Sequence, residues 1–362
     1  MKAIIVAAGT GGHITPGISI ANKIMREEPD SKIIFIGTKN GMENDIVLKE
    51  GYEIRHIRAE GLKPGLDLDN IRILFNILFG IGDAKKIIKE FKPDVVIGTG
   101  GYVSFPIFKV ATKMKIPTML HESNSIPGKV VKIMAHKVNT IMVGFKKTKE
   151  NMKDADNVVY TGTPTKMLTY VSPINLKEKL GLKIDLPILL ITGGSQGAKK
   201  LNENVIQVLN KTKDRKYQVI FVTGKNNYDY AVQNIQNKEN VQIISYAYNM
   251  EEYMSIADVI ISRAGALSLT EICIMGIPSI IIPFPYSAEN HQIYNAQVLK
   301  DAGAGEVIIE EDLTIELLKD TLERIIYNKE LLQDMRNKAK GLAVMNAEDV
   351  IYKEIKKAIG NC

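Results

Sequence analysis

The chain has 362 residues, 45% of them hydrophobic and 24% charged, with a formal net charge of +6. That length supports two ordinary domains with real cores, and no apolar run approaches a membrane span. The charge is uneven: residues 1–160 hold 24 Lys and Arg against 17 Asp and Glu, a net of +7, and the remainder holds 23 against 24, a net of −1. A basic first half attracts nucleic acid, anionic lipid or phosphorylated ligands. Nucleic acid is disfavoured, because tryptophan is absent and neither an aromatic-rich RNA-binding signature nor an Arg-dense helix is present. Cys273 and Cys362 have no metal-ligand or disulfide spacing, and the opening MKAIIVAAG enters a buried strand without a charged leader. A reducing cytoplasm and at most a peripheral membrane contact are expected.

In chain order, strand-like runs stand at AIIVAA, KIIFIG, YEIRHIRA, DVVIGT, PTMLHE, NTIMVG and VVYTG, with helix-like segments between most of them. One such segment, residues 71–92, spaces Ile71, Leu74, Phe75, Leu78 and Phe79 helically and ends in Lys85, Lys86, Lys89 and Lys92. By periodicity alone it reads as a core-facing helix with a solvated basic end. Little periodicity remains over residues 163–186, which carry Pro164 and Pro173 and serve best as a linker. The pattern then restarts at LPILLIT and continues through YQVIFVT, VQIISYA, DVIISR, SIIIPF and GEVIIE. Repeated βαβ wiring of this kind predicts an α/β protein with two parallel-sheet halves. Boundaries are placed at residues 1–163 and 164–345, with 346–362 as an amphipathic helix returning to the first half.

Three glycine-rich loops follow buried strands: GTGGHITPG, GTGG in VVIGTGGYVSF, and GGSQG. Glycine lets the backbone approach a ligand while helix N-terminal amides point at it, so phosphate or sugar oxygens are natural partners. A dinucleotide fingerprint fails, because Ile14 stands where its third glycine belongs and FIGTKNG lacks the ribose-binding acid; a Walker ending is absent too. In the second half, SRAGALSLTEICIMG opens a helix carrying Glu271, which either caps the helix or grips a ribose. Gln292 in ENHQIYNA offers a sugar hydroxyl both a donor and an acceptor.

Taken in order, GTGGHITPG, GTGGYVSFP, HESNSIPG, TGGSQGA, SRAGALSLTE and HQIYNA resemble the glycosyltransferase 28 family of peptidoglycan synthesis across nearly the whole chain. The resemblance implies the GT-B fold, two Rossmann-like domains facing across a cleft. It also implies inverting transfer of GlcNAc from UDP-GlcNAc to the muramoyl 4-hydroxyl of lipid I, undecaprenyl-diphospho-MurNAc-pentapeptide, giving lipid II at the cytoplasmic membrane face. By the same resemblance Thr10, Gly11, Gly12 and Asn124 line the donor site from the first domain, and Ser195 meets the diphosphate. Backbone groups around Ala247 read uracil. Ala266, Leu267, Ser268, Leu269, Thr270 and Glu271 wrap phosphate and ribose, and Gln292 holds GlcNAc. Two positions depart from the family pattern: Lys166 replaces an arginine, turning a bidentate contact into a point charge, and His291 replaces a glutamine beside Gln292.

An inverting displacement needs a base on the acceptor side and compensation of charge on the departing diphosphate. His13 and Glu122 are the candidate bases, with Tyr102 as an acceptor contact. No cofactor and no metal are expected, and Asp67 and Asp69 in DLD, which resemble a metal-binding DxD, read as surface chemistry. A lipid substrate gives residues 71–92 a second reading, an apolar patch dipping into an anionic membrane surface beside its lysines. Further cell-wall synthesis proteins are candidate partners. A UDP-GlcNAc 2-epimerase of the same fold, or a membrane scaffold that binds nucleotide sugar without turnover, are the alternatives; lipid-dependent turnover separates them.

Overall fold

The computed structural model describes every residue except 62–66, 68, 153, 154, 156, 166–172, 195, 196, 213, 361 and 362. The chain divides into two compact units, Met1–Met167 with Val344–Cys362, and Leu168–Ala343.

The first unit alternates strand and helix: β1 (Lys2–Ala7), α1 (Gly11–Glu27), β2 (Lys32–Gly37), α2 (Glu43–Lys49), β3 (Glu53–His56), α3 (Asp69–Phe91) and β4 (Val95–Gly100). It continues through α4 (Ser104–Lys113), β5 (Thr118–Glu122), α5 (Lys129–Met134), β6 (Thr140–Val143), α6 (Lys146–Glu150) and β7 (Val158–Tyr160). All described pairings are parallel, in the order β3-β2-β1-β4-β5-β6-β7. Ile5 of β1 sits between Phe35 and Ile97, and helices cover both faces, so the central strands are apolar runs without alternation. The peripheral β3, by contrast, reads EIRH and has no buried residue.

The second unit opens with α7 (Pro173–Lys179), then β8 (Ile188–Thr192), α8 (Lys199–Lys211), β9 (Gln218–Val222), α9 (Tyr228–Asn234), β10 (Val241–Ile244) and α10 (Met250–Ile256). There follow β11 (Val259–Ser262), α11 (Ala266–Met275), β12 (Ser279–Ile281), α12 (His291–Asp301), β13 (Gly305–Val307), α13 (Ile315–Ile326) and α14 (Lys329–Leu342). Its parallel sheet runs β10-β9-β8-β11-β12-β13. Every strand-like run of the sequence therefore carries a strand, and the fold is the expected pair of Rossmann-like parallel-sheet units.

The chain then returns to the first unit as α15 (Ala347–Ala358). Ile351 and Ile355 are fully buried in the core cluster that holds Ile5, Ile14, Ile18 and Ala21. Polar contacts fix the seam: Lys23 reaches Asp349 at 2.6 Å, Arg26 pairs with Glu348, and Glu28 accepts from Tyr352 at 2.8 Å and from Lys356 at 2.7 Å. The Glu28 carboxyl is held down at about 2 by Lys356 first, against the opposing effect of burial.

Two local expectations change. Residues 173–179 are helical where a linker was expected, and Leu176 is buried. The core-facing reading of α3 fails: Ile71, Leu74, Phe75, Leu78 and Phe79 are 52–62% exposed, while Ile73, Gly80, Ala84, Ile87 and Ile88 face the core. Helix periodicity marks two such faces equally well, and small Gly80 and Ala84 allow close packing on the less apolar one. Among the described residues no helix is long and apolar enough to cross a membrane.

Candidate active site

In an open parallel sheet, ligands gather beyond the carboxyl ends of the strands where the strand order reverses. In the first unit that point lies between β1 and β4, the strands followed by the two GTGG loops. In the second it lies between β8 and β11, followed by the GGSQG and RAGA segments. The glycine-rich stretches thus occupy both switch points.

In the first unit the two loops approach backbone to backbone. Gly101 has φ +88°, and a Cβ there would stand 2.5 Å from the Ala8 carbonyl oxygen. Gly100, at φ +121°, leaves the space filled by the His13 ring, since a Cβ would meet Nδ1 at 2.3 Å. His13 Nδ1 lies 3.0 Å from the Thr99 carbonyl oxygen, and the Thr99 hydroxyl donates to the His13 carbonyl at 2.7 Å. A carbonyl can only accept, so Nδ1 holds the proton of the neutral ring and Nε2 carries the lone pair. Thr99 was not singled out by sequence; nothing in GTGG signals that its carbonyl orients a histidine 86 positions away.

Thr10 is the extended N-cap of α1, with no side-chain capping bond. The His13 and Ile14 amides bond the Thr10 carbonyl, so the helix-end donors in front of them belong to Gly11 and Gly12. A Cβ on Gly11 would meet nothing within 4 Å, and one on Gly12 only the Thr10 hydroxyl at 3.7 Å. Neither glycine is required by packing or by positive φ. Tyr102 borders the same loop, with its ring 4.0 Å from a Cβ on Gly9.

Glu122 ends β5 and is buried. Its Oε1 accepts from the backbone and side-chain amides of Asn124 at 2.9 and 3.0 Å, and its Oε2 from the Gly128 amide at 2.8 Å. Both oxygens hold the HESNSIPG loop against the start of α5. His121 beside it is fully buried: Nε2 donates to the Gly162 carbonyl at 2.9 Å, and Nδ1 faces the Ser123 hydroxyl at 3.3 Å. Burial first of all pushes its pKa down to about 4, so the ring is neutral. Asp67 and Asp69 meet at the start of α3, where Asp67 Oδ1 accepts the Asp69 amide at 2.9 Å.

In the second unit α11 begins after Gly265 with no side-chain cap, leaving the first-turn amides of Ala266, Leu267 and Ser268 outside the helical ladder. Leu269 is fully buried, and the Thr270 hydroxyl bonds back to the Ala266 carbonyl at 2.9 Å. Burial, and secondly the charge of Glu251, lift the Glu271 carboxyl to about 7. Gln292 differs from expectation. Its Oε1 accepts the amides of Ala264 at 3.1 Å and Phe284 at 2.9 Å, so its acceptor half is spent on the protein and its Nε2 donors remain for a sugar. His291 makes a local contact, Nδ1 to the Ala288 carbonyl at 2.7 Å. Buried Arg263 donates to the Ile282 and Pro283 carbonyls at 3.1 and 3.2 Å and pairs with Glu310, fixing the turn before Phe284. Ala247 lies in the segment after β10 between Tyr246 and Tyr248, whose rings meet edge-on at 4.9 Å. Lys166 and Ser195 lie outside the described residues.

Residues 3–143 match the glycosyltransferase family 28 N-terminal domain and residues 188–351 its C-terminal domain. A Thermoanaerobacter sp. (strain X514) protein named UDP-N-acetylglucosamine--N-acetylmuramyl-(pentapeptide) pyrophosphoryl-undecaprenol N-acetylglucosamine transferase is 41% identical, covering 98% of this chain and 99% of its own. Its namesake from Clostridioides difficile (strain 630) is 40% identical, covering 99% and 89%. The crystal structure of Acinetobacter baumannii MurG aligns with TM-score 0.81 at 27% identity, over 98% of this chain and 99% of that one. A UDP-GlcNAc 2-epimerase from Neisseria meningitidis, solved with UDP-GlcNAc, aligns at 0.70 with 16% identity, over 99% and 100% of the two chains, a likeness of fold alone.

Proposed function

Since this chain belongs to glycosyltransferase family 28, we infer that it moves GlcNAc from UDP-GlcNAc to the muramoyl 4-hydroxyl of undecaprenyl-diphospho-MurNAc-pentapeptide. The product is the disaccharide lipid intermediate of peptidoglycan synthesis.

His13 is the base in this reading. Its Nε2 takes the acceptor hydroxyl proton, the oxygen bonds the anomeric carbon on the face opposite the diphosphate, and the anomeric C–O bond breaks with its electron pair leaving on UDP. The carrying observation is the His13–Thr99 contact, which in the neutral ring leaves the lone pair on Nε2. Glu122, with both oxygens on loop amides, keeps Asn124 in place for a sugar contact, and Tyr102 borders the acceptor. Gly11 and Gly12 offer helix-end amides to a phosphate oxygen, with Thr10 beside them, and in the second unit the first-turn amides of Ala266, Leu267 and Ser268 suit the same kind of group; the diphosphate contact of Ser195 is what the family resemblance implies. Glu271 accepts from the ribose hydroxyls, the Nε2 of Gln292 donates to GlcNAc, and the backbone at Ala247 reads uracil. Lys166 supplies a point charge.

The apolar start of α3 is assigned to an anionic membrane surface at the cytoplasmic face. Successive angles of 100° put Lys85, Lys86 and Lys89 on the same exposed helix face as Ile71, Phe75 and Leu78, and all three lysines are exposed. A helix face that is apolar and then cationic suits an interface of buried acyl chains and anionic headgroups.

The deciding experiment incubates the protein with labelled UDP-GlcNAc and a short-chain analogue of the acceptor lipid. A β-linked disaccharide lipid, formed only when both are present, is expected. Acceptor-independent epimerisation of UDP-GlcNAc, or binding without turnover, would overturn the reading.

A further inference from the structure

The ribose-binding acid of a dinucleotide fold is missing from the end of β2, yet a carboxyl group from the next turn reaches the same neighbourhood. Glu43, the first residue of α2, is 0% exposed. Its Oε1 accepts the Thr38 amide at 2.8 Å and the Thr38 hydroxyl at 3.1 Å, and its Oε2 accepts the Gly9 amide at 3.3 Å. Among the described residues no ion pair to it is found. Two glycines of GTKNGME make its room: a Cβ on Gly41 would stand 2.0 Å from Oε1, and one on Gly37 would stand 2.5 Å from Cγ. Gly9, at the other end of the contact, is exposed and turns at φ +95°. A wholly buried side chain thus grips the hinge of a solvent-exposed loop, and the four residues beyond that hinge are Thr10, Gly11, Gly12 and His13.

We propose that Glu43 is a positioning residue for the transfer reaction, holding the Gly9 amide so that the Gly11 and Gly12 donors and His13 stay in register with the β4 loop. This rests on the reading of residues 10–13 as part of the site. A carboxyl that merely fastened α2 to the sheet would need only the Thr38 bonds. The bond to Gly9 ties the β2–α2 turn to the β1–α1 loop, 34 positions away, and leaves that loop less freedom to relax before substrate binds. Misplacement of a reacting group by about 1 Å is enough to cost on the order of 100-fold in rate.

The test combines amide exchange with kinetics. In the unaltered protein the Gly9 amide exchanges slowly despite the residue's exposure; rapid exchange there overturns the proposal. In Glu43→Gln, whose amide group turns a donor toward one of its donor partners, Gly9 exchange accelerates at least about tenfold, and kcat falls by about 10- to 100-fold with KM for UDP-GlcNAc nearly constant. In a His13→Ala background the same change brings a clearly smaller further loss, because the share of its effect that acts through His13 is already gone and only that through Gly11 and Gly12 remains. Losses that multiply fully, or an equal fall through KM, mark a purely structural role and overturn it. If Glu43→Gln does not fold, Glu43→Asp is used, since one methylene less retracts the carboxyl from its longer bond, that to Gly9; unchanged Gly9 exchange and kcat in that variant overturn the proposal. A His13→Ala enzyme of normal turnover removes the role given to His13, while Gly9 exchange and the kcat of the Glu43 variants still report on Glu43.

Discussion

The Nδ1 of His13 and the carbonyl oxygen of Thr99 lie 3.0 Å apart, and the Thr99 hydroxyl returns a bond to the His13 carbonyl. The second GTGG segment therefore works partly on the first, fixing the tautomer of the histidine that follows it. Replacing His13 with alanine is expected to lower kcat by about 10²- to 10⁴-fold, the range of general base catalysis, with a much smaller change in UDP-GlcNAc affinity. Gly100→Ala should act in the same direction, because its Cβ would collide with the ring. Steady-state kinetics across neutral pH check both; turnover unchanged in His13→Ala removes it as the base.

A partly buried carboxyl poised near neutrality is expected to make donor binding pH-dependent. In the proposed site, ribose hydroxyls donating to Glu271 would favour its ionised form, while without ligand burial holds that group up at about 7. Affinity for UDP should rise as pH increases from 6 to 8 and level off above. Glu271→Gln should weaken binding at pH 8 by roughly 10- to 100-fold, corresponding to a charge-assisted hydrogen bond of about 1.5–3 kcal/mol. Its affinity should also be flat with pH. Calorimetric titration at several pH values measures this, and a pH-independent affinity in the unaltered protein contradicts it.

Gly11→Ala separates stability from activity. The added methyl meets no protein atom, and glycine in a helix costs roughly 0.5–1 kcal/mol relative to alanine. The melting temperature should hold or rise while turnover falls, because in the proposed site the methyl crowds the substrate. Full activity at unchanged stability would show that the Gly11 amide is not used.

His121 should dominate one stretch of acid sensitivity. Its folded-state pKa is about 4 against an ordinary 6.5, so between those values the unfolded chain binds a proton that the native state refuses. Stability is full above 6.5 and declines as pH falls toward 4, by about 3 kcal/mol over the window. Urea midpoints at pH 7 and 4.5 should differ less in His121→Gln, which keeps an amide for the Gly162 carbonyl. An undiminished difference assigns the acid sensitivity to other groups.

Phe75 and Phe79 are more than half exposed, so serines at both positions should leave UDP-GlcNAc affinity intact. The stability cost should be small, about 0.5–1 kcal/mol from lost stacking of Arg58 on Phe79. Binding to anionic vesicles, measured by co-sedimentation, should weaken in this variant and fall with salt in the unaltered protein. Salt-insensitive binding would remove the electrostatic share, and unaffected binding by the double variant would move the contact elsewhere.

The strands were legible because parallel strands covered on both faces become unbroken β-branched runs, as in KAIIVA and KIIFIG, and no helix pattern competes with those. The direction of α3 was not, since Phe75 and Phe79 satisfy the same spacing whether they meet a core or a membrane. The sequence neighbours of Glu122 do not reveal that the Asn124 and Gly128 amides turn back upon its carboxylate. Gln292 was recognisable by type, but its acceptor is committed to Ala264 and Phe284, partners 28 and 8 positions away. Glu43 carries no signal within GTKNGME for the same reason: its bond to Gly9 spans 34 positions.

The burial of Ile351 and Ile355 beneath α1 has a consequence for synthesis on the ribosome. The strands of the first unit emerge first, but one face of their sheet is completed by residues made about 180 positions after the unit's first stretch ends at Met167. At about 5–20 residues per second that interval lasts roughly 10–40 s. Throughout it, the apolar surface around Ile14, Ile18 and Ala21 stays uncovered, while the intervening unit, whose core clusters draw on residues of its own, is free to fold. A chain that ends before residue 347 therefore leaves that face of the first unit's sheet exposed to solvent, however completely the second unit has folded.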